Sequence, residues 1–197
     1  MSLLQGGGII AFPTDTAYGL GVDPFNEAAV DRIFQTKGRS DTKPILLVVD
    51  SLAMAERVSQ PAAVFYEVVE QFWPGPLTVI VSAVASLPLN VTAGTKTVGL
   101  RWPVAPFAMT LLNRFGKPIT ATSANRSGLG APVTAEEVRA QLGGSVDGLV
   151  DGGVLPARRG STVLDLTVDP PALVREGPIS FATLDEFFKG RIRRHIT

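Results

Sequence analysis

The sequence contains no cysteine and a single histidine, His195, close to its C-terminus. The first absence excludes disulfides, thiolate metal sites and cysteine nucleophiles. The second leaves a Ser-His-Asp triad or a histidine zinc site resting on one position at a fraying end. Net charge is missing too: 18 Lys and Arg balance 18 Asp and Glu. A dedicated nucleic-acid binder carries a basic excess, because phosphate neutralisation dominates its affinity, so only a local basic cleft is left open. No apolar run approaches the roughly 20 residues of a membrane span. The N-terminus lacks the basic start and apolar core of a signal peptide, so the expected compartment is the cytoplasm. The standard nucleotide motifs are absent as well. There is no Gly-x-x-x-x-Gly-Lys-Ser/Thr sequence, and Gly19-Leu20-Gly21 fails the dinucleotide fingerprint because residue 24 is Pro24.

What is present is an apolar supply of 45% in 197 residues, enough to bury the core of one domain with at most a small appendage. Gly8 to Phe12 reads as a buried strand stopped by Pro13, and Pro13 to Gly21 as a polar, hydroxyl-rich turn ended by glycines. Asn26 caps a helix to about Thr36, Ser51 one to about Val58, and Thr134 one to about Leu142. Further helices are expected from Pro61 to about Phe72, from Pro106 to Phe115, and from Thr183 into a basic tail of Arg191, Arg193 and Arg194. Strands are expected over Pro44 to Val49, Thr78 to Val84, Thr97 to Trp102 and Ile119 to Thr122. Others lie near Gly148, over Ser161 to Leu166 and over Leu173 to Glu176, with loops at Asn90 to Gly94 and Ser123 to Gly128. Trp73-Pro74-Gly75-Pro76 is a forced turn. Strands and helices alternate, so the class is α/β with a mixed sheet.

Several polar clusters could carry chemistry. Lys37-Gly38-Arg39 with Lys43 places three cations within seven residues at a helix end. Polyphosphate needs such clustering, with Arg offering a planar fork and Lys a point charge. Helix C-termini also favour cations for the dipole alone. Thr120 to Asn125 puts hydroxyls and an amide at a strand's carboxyl end, where open α/β sheets bind ligands; a polar turn bonding its own backbone fits equally. Thr14-Asp15-Thr16 suits a small polar substrate or a local turn. Arg101 and Arg175 lie in or beside apolar strands, where a guanidinium must pair, bind an anion, or reach solvent at a sheet edge.

Taken in order, these segments resemble the YrdC family, whose members make threonylcarbamoyl-AMP for tRNA modification. The resemblance rests on Pro13 to Gly21, Lys37-Gly38-Arg39 with Lys43-Pro44, Trp73 to Thr78, Gly99 to Pro103, Thr122 to Asn125, Ser161-Thr162-Val163 and Arg175-Glu176-Gly177. It implies a single-domain α/β fold, a twisted mixed sheet flanked by helices with an open concave, positively charged cavity. Residues 1–190 would form that domain and residues 191–197 a basic tail. Lys37 and Arg39 would be catalytic, and Lys37, Arg39, Lys43, Ser123, Asn125 and Arg175 would hold ATP. Thr16, Arg101, Ala121 and Ser161 would take L-threonine, Arg101 through its carboxylate, with Thr97 nearby.

The implied substrates are L-threonine, bicarbonate and ATP, with magnesium accompanying the phosphates through no assignable ligand. The partner would be a downstream tRNA threonylcarbamoyl transferase complex. The basic tail leaves room for weak tRNA contact. Many relatives carry a histidine where this chain has Val48 or Val49, and some a serine where it has Ala131. The glycine-rich stretch Gly152 to Gly160 is a lid candidate. A competing reading is an RNA-binding or ribosome-assembly factor using the same cationic hollow; zero net charge argues against it. Another is carbamoyl transfer in hydrogenase maturation, which sits in much longer chains with cysteine-rich zinc modules.

Overall fold

A computed structural model describes residues 1–38, 44–156 and 160–195. The strands are β1 (Ile10–Pro13), β2 (Tyr18–Gly21), β3 (Leu47–Val48), β4 (Leu77–Ser82), β5 (Thr97–Arg101), β6 (Ile119–Thr120), β7 (Thr122–Ser123), β8 (Gly148–Leu149), β9 (Thr162–Asp165), β10 (Ala172–Arg175) and β11 (Arg193–Arg194). The helices are α1 (Ser2–Gln5), α2 (Glu27–Lys37), α3 (Leu52–Glu56), α4 (Ala63–Phe72), α5 (Leu89–Thr92), α6 (Pro106–Phe115), α7 (Ala135–Leu142) and α8 (Phe181–Phe187). The single mixed sheet expected from the sequence is divided in two: a four-stranded sheet ordered β7-β2-β1-β8 and a seven-stranded sheet ordered β11-β10-β9-β4-β5-β3-β6. Both mix parallel and antiparallel pairs; β1 runs parallel to β8 and antiparallel to β2, and β4 parallel to β9 and antiparallel to β5.

Local chemistry accounts for most helix bounds. Side-chain oxygens of Asn26, Ser51 and Thr134 accept from the amides of Ala29, Met54 and Glu137, satisfying donors that an N-terminal turn otherwise leaves orphaned. The last helix starts earlier than expected, at Phe181, because Ser180 caps it by accepting from the Thr183 amide. Leu89–Thr92, read as loop, closes one helical turn and packs on α2, where Asn90 donates to Glu27 O and to Asp31 Oδ1. Helix α2 buries Ala29, Val30, Ile33 and Phe34 and ends at Gly38 in the left-handed region, with φ of 57°.

Two strand readings changed with physical cause. Tyr18–Gly21 was expected as a turn because of its glycines, yet it is a fully buried strand. Gly21 serves close approach instead: a Cβ there would stand 2.7 Å from the Phe12 ring and 2.8 Å from Ile119 Cγ2. The expected strand Ile119 to Thr122 breaks into two, β6 pairing with β3 in the large sheet and β7 with β2 in the small one. Ala121 is the residue between, its amide donating to Leu46 O. The sheets therefore meet at this residue. Their shared core includes Phe12, Tyr18, Leu20, Ile33, Leu47, Phe65, Leu77, Leu100 and Leu112, all essentially inaccessible. The C-terminal basic residues Arg193 and Arg194 add a short parallel edge strand to β10, and Arg194 lies over the Phe181 ring and pairs with Glu176.

Candidate functional site

The β1–β2 turn supplies the first part of the site. Thr14 closes it, its hydroxyl donating to Ala17 O at 2.7 Å and accepting from the amides of Thr16 and Ala17. That leaves the Thr16 hydroxyl directed at Arg101, whose Nη1 donates to it at 2.9 Å. Arg101 ends β5 and is 4% exposed. Its Nε donates to Gly75 O at 3.2 Å. The turn that presents this carbonyl tolerates only glycine at position 75, where a Cβ would come within 2.6 Å of Phe72 O. Nη2 meets Asp15 Oδ1 at 2.5 Å, an ionic contact outside hydrogen-bonding alignment, with both atoms buried. Burial pushes the guanidinium pKa of Arg101 down, opposed by the adjacent Asp15 charge.

The second part comes from β9 and β10. Arg175 donates through Nε and Nη2 to Ser161 O at 3.0 and 2.8 Å, and the Ser161 hydroxyl lies 2.7 Å from that of Thr78 on β4. Two glycines make this possible. A Cβ on Gly160 would meet Arg175 Nη2 at 2.7 Å, so the guanidinium lies flat along the Gly160 backbone. A Cβ on Gly177 would meet Thr162 N at 2.5 Å and Gly160 O at 2.6 Å, so the segment after β10 packs backbone to backbone. Arg175 is pushed down in pKa by burial and then by the charge of Arg101, which places the two guanidiniums in one another's field.

The third part is the junction between the sheets. Ser123 ends β7, and Asn125 is held by its own amide group, which donates to Arg126 O and Leu129 O. Behind this loop the buried ammonium of Lys37 donates to Asn125 O at 2.8 Å, to Asn125 Oδ1 at 3.4 Å and, in a short contact, to Ser123 O. A buried cation is satisfied here by loop carbonyls, which ties the end of α2 to the loop after β7.

These parts border one cavity of about 370 Å³ between the two sheets. Of the residues expected from the sequence, Thr16, Arg101, Ala121, Ser123, Ser161 and Arg175 line it, as does Thr97. Lys37 and Asn125 do not; they stand behind the Ser123 wall. Arg39 and Lys43 lie outside the described residues, although Pro44, which follows them, borders the cavity. The lid candidate Gly152 to Gly160 includes undescribed residues 157–159. Its start is fixed by Tyr18, whose hydroxyl donates to Gly153 O and accepts from the Gly152 amide, both at 2.9 Å. Thr78 was not singled out as a site residue, and Asp15 entered only within the Thr14-Asp15-Thr16 cluster, with no role of its own. Thr78 reads as an ordinary strand position and Asp15 as a turn former, and only the fold sets them against Ser161 and Arg101. Among the described residues no cluster of three acidic or histidine side chains could hold a metal ion, and no helix is long and apolar enough to cross a membrane.

The fold and cavity thus define an α/β protein with a hollow between two sheets, lined by the guanidiniums of Arg101 and Arg175 and by hydroxyls. The chain belongs to the Sua5/YciO/YrdC family, whose pattern, described as "Telomere recombination", matches residues 2–177. It is 36% identical over 193 residues to a threonylcarbamoyl-AMP synthase of Pyrococcus abyssi, covering 98% of this chain and 56% of that protein. It is 39% identical over 181 residues to the Bacillus subtilis protein of the same name, covering 91% and 52%. The chain therefore spans little more than half the length of these two relatives. The crystal structure of P. abyssi Sua5 complexed with L-threonine superposes with a TM-score of 0.94 at 35% identity, over 98% of this chain and 57% of that one. Escherichia coli YciO superposes at 0.84 with 31% identity, over 90% and 86%.

Proposed function

We propose that this chain forms threonylcarbamoyl-AMP from L-threonine, bicarbonate and ATP, releasing pyrophosphate, as a nucleotidyltransferase in the pathway that makes threonylcarbamoyladenosine in tRNA. The observation that carries the reading is the convergence of Thr16, Arg101, Ser123, Ser161 and Arg175 on a single hollow from five separate parts of the chain. Relatives named threonylcarbamoyl-AMP synthase, and a related structure bound to L-threonine, support it.

In this reading Arg101 takes the threonine carboxylate, with Thr16 and Ser161 on its polar side. The unprotonated amine adds to bicarbonate-derived carbon, water leaves, and a carbamate results. A carbamate oxygen then attacks the α-phosphorus of ATP as the bond to pyrophosphate breaks. Such a displacement is mostly positioning and neutralisation of developing charge. Arg175, Arg39 and Lys43 are proposed to supply that neutralisation, with Ser123 on the nucleotide side. Lys37 and Asn125 serve by holding the Ser123 loop in place.

The cavity's oxygen donors are hydroxyls and backbone, and its neighbouring carboxylate, Asp15, is committed to Arg101. These residues do not form a magnesium site, and Mg²⁺ commonly binds through substrate phosphates instead. The product would pass to a tRNA threonylcarbamoyl transferase complex. The test is pyrophosphate release from ATP with bicarbonate and each candidate amino acid. Release that needs both threonine and bicarbonate is expected. Salt-sensitive RNA binding without any turnover would overturn the reading in favour of an RNA-binding factor.

A further inference from the structure

We propose that Gly19 and Gly99 are specificity-determining residues of the cavity: the side chains they lack let a substrate lie directly on strand backbone, the amino acid at Gly99 and the nucleotide at Gly19. The inference deepens the reading above and rests on its placing of the amino acid at Arg101 and of the nucleotide at Ser123.

Glycine inside a strand weakens it, through backbone entropy and the lack of a side chain to pack, so each one needs a physical reason. Strands of this fold hold glycine at positions 19, 21, 99 and 148. Neighbours account for two of them: a Cβ on Gly21 would collide with Phe12 and Ile119, and one on Gly148 would stand 2.9 Å from Leu3 Cδ1. Gly19 and Gly99 have no such reason. Neither takes a positive φ. A Cβ on Gly99 would meet Thr78 Cγ2 at 3.4 Å and Leu46 Cδ1 at 3.8 Å, and one on Gly19 would meet nothing closer than 3.7 Å, all ordinary contact distances. Neither marks a bulge, since β2 pairs with β1, and β5 with β4, residue for residue without a shift. What the two share is the cavity, which both line, one from each sheet. The strand pattern turns their missing side chains into it. Gly99 alternates along β5 with Thr97 and Arg101 and stands opposite Ile80, all of them cavity residues. Gly19 follows Ala17 by two positions and stands opposite Ser123, which also border the cavity. Close approach of a ligand to the backbone is the reason for a strand glycine that remains at both positions. The neighbours divide the ligands: Gly99 shares its strand face with Arg101, and Gly19 shares its face with Ser123.

The test uses the whole chain carrying Gly99→Ala or Gly19→Ala and measures thermal unfolding, calorimetric binding of L-threonine and of ATP, and pyrophosphate release. Alanine suits a strand better than glycine, so each variant should melt with the parent or about 1 to 3 °C above it. Gly99→Ala should weaken L-threonine binding on the order of tenfold and leave ATP binding within about twofold, and Gly19→Ala should do the reverse. A variant that fails to fold, or melts below the parent, would overturn the inference, because its glycine would then serve the packing. Unchanged affinity for both ligands, or the two ligands responding in the opposite order, would overturn it as well. A parent that releases pyrophosphate while both variants keep its affinities leaves the functional reading standing and refutes the role of the glycines alone. A parent that binds neither threonine nor ATP sinks the functional reading, and the assignment of ligands falls with it.

Discussion

Gly160→Ala separates the geometry of the site from the stability of the fold. The added Cβ would stand 2.7 Å from Arg175 Nη2, 3.0 Å from Cζ and 3.2 Å from Nη1. Reaching ordinary contact, near 3.5 Å, requires the guanidinium to move roughly 1 Å. Its bonds to Ser161 O, now 3.0 and 2.8 Å, would stretch past bonding range. Because the Arg175 guanidinium is only partly buried and sits at the end of a flexible side chain, the stability cost should be about 1 kcal/mol or less. The functional cost should be larger, since a displacement of about 1 Å in a positioning group lowers kcat/KM on the order of 100-fold. Gly177→Ala is the contrast. Its Cβ would collide with backbone at 2.5 to 2.7 Å, which no rotamer change relieves, and should destabilise by about 3 kcal/mol. Thermal unfolding and pyrophosphate release against ATP concentration read the two effects. The reasoning fails if Gly160→Ala melts as early as Gly177→Ala, or if its turnover of ATP matches the parent.

Lys37→Met should cost about 3 kcal/mol in chemical denaturation, because the Ser123 and Asn125 carbonyls lose a charged donor in a buried place. A phosphate-binding lysine with no structural duty would instead lose activity at unchanged stability. Asp147 has its pKa held below the usual carboxylate range, first by accepting from the Ile9 amide and further by Arg32. Its folded value is depressed, so its contribution is present above the unfolded pKa of about 3.9 and is lost as pH falls through the folded one. Asp147→Asn should therefore lower stability at neutral pH and flatten the acid limb below about pH 4; an acid titration with the same slope in both proteins would contradict this.

Local signals were legible in the sequence where local physics decides. Asn26, Ser51 and Thr134 announced helix starts because capping depends on neighbours three residues away. The helix Pro106–Phe115 was bounded correctly, its proline at the start being a local signal, and the structure closes it at Gly116 in the left-handed region. What sequence could not show was set by distant partners. Gly21 looked like the end of a turn because the Phe12 and Ile119 side chains that leave no room for a Cβ there are not its neighbours in sequence. Likewise, nothing local says that residue 121 leaves one sheet and residue 122 enters another. The site was legible as ordered motifs, which is why Arg101, Ser161 and Arg175 were named beforehand. The motifs did not show that Lys37 turns away to the loop carbonyls, that Thr78 joins the polar wall, or that Asp15 pairs with Arg101.

The change of sheet at Ala121 has a mechanical corollary. Opposite walls of the hollow hang on two separate strand ladders, joined beside Ala121 where the Thr120 amide donates to Val22 O and the Val22 amide to Thr120 Oγ1. A molecule long enough to touch Ser123 on one frame and Arg175 on the other would act as a rivet, and its grip would be felt as stiffness throughout both frames.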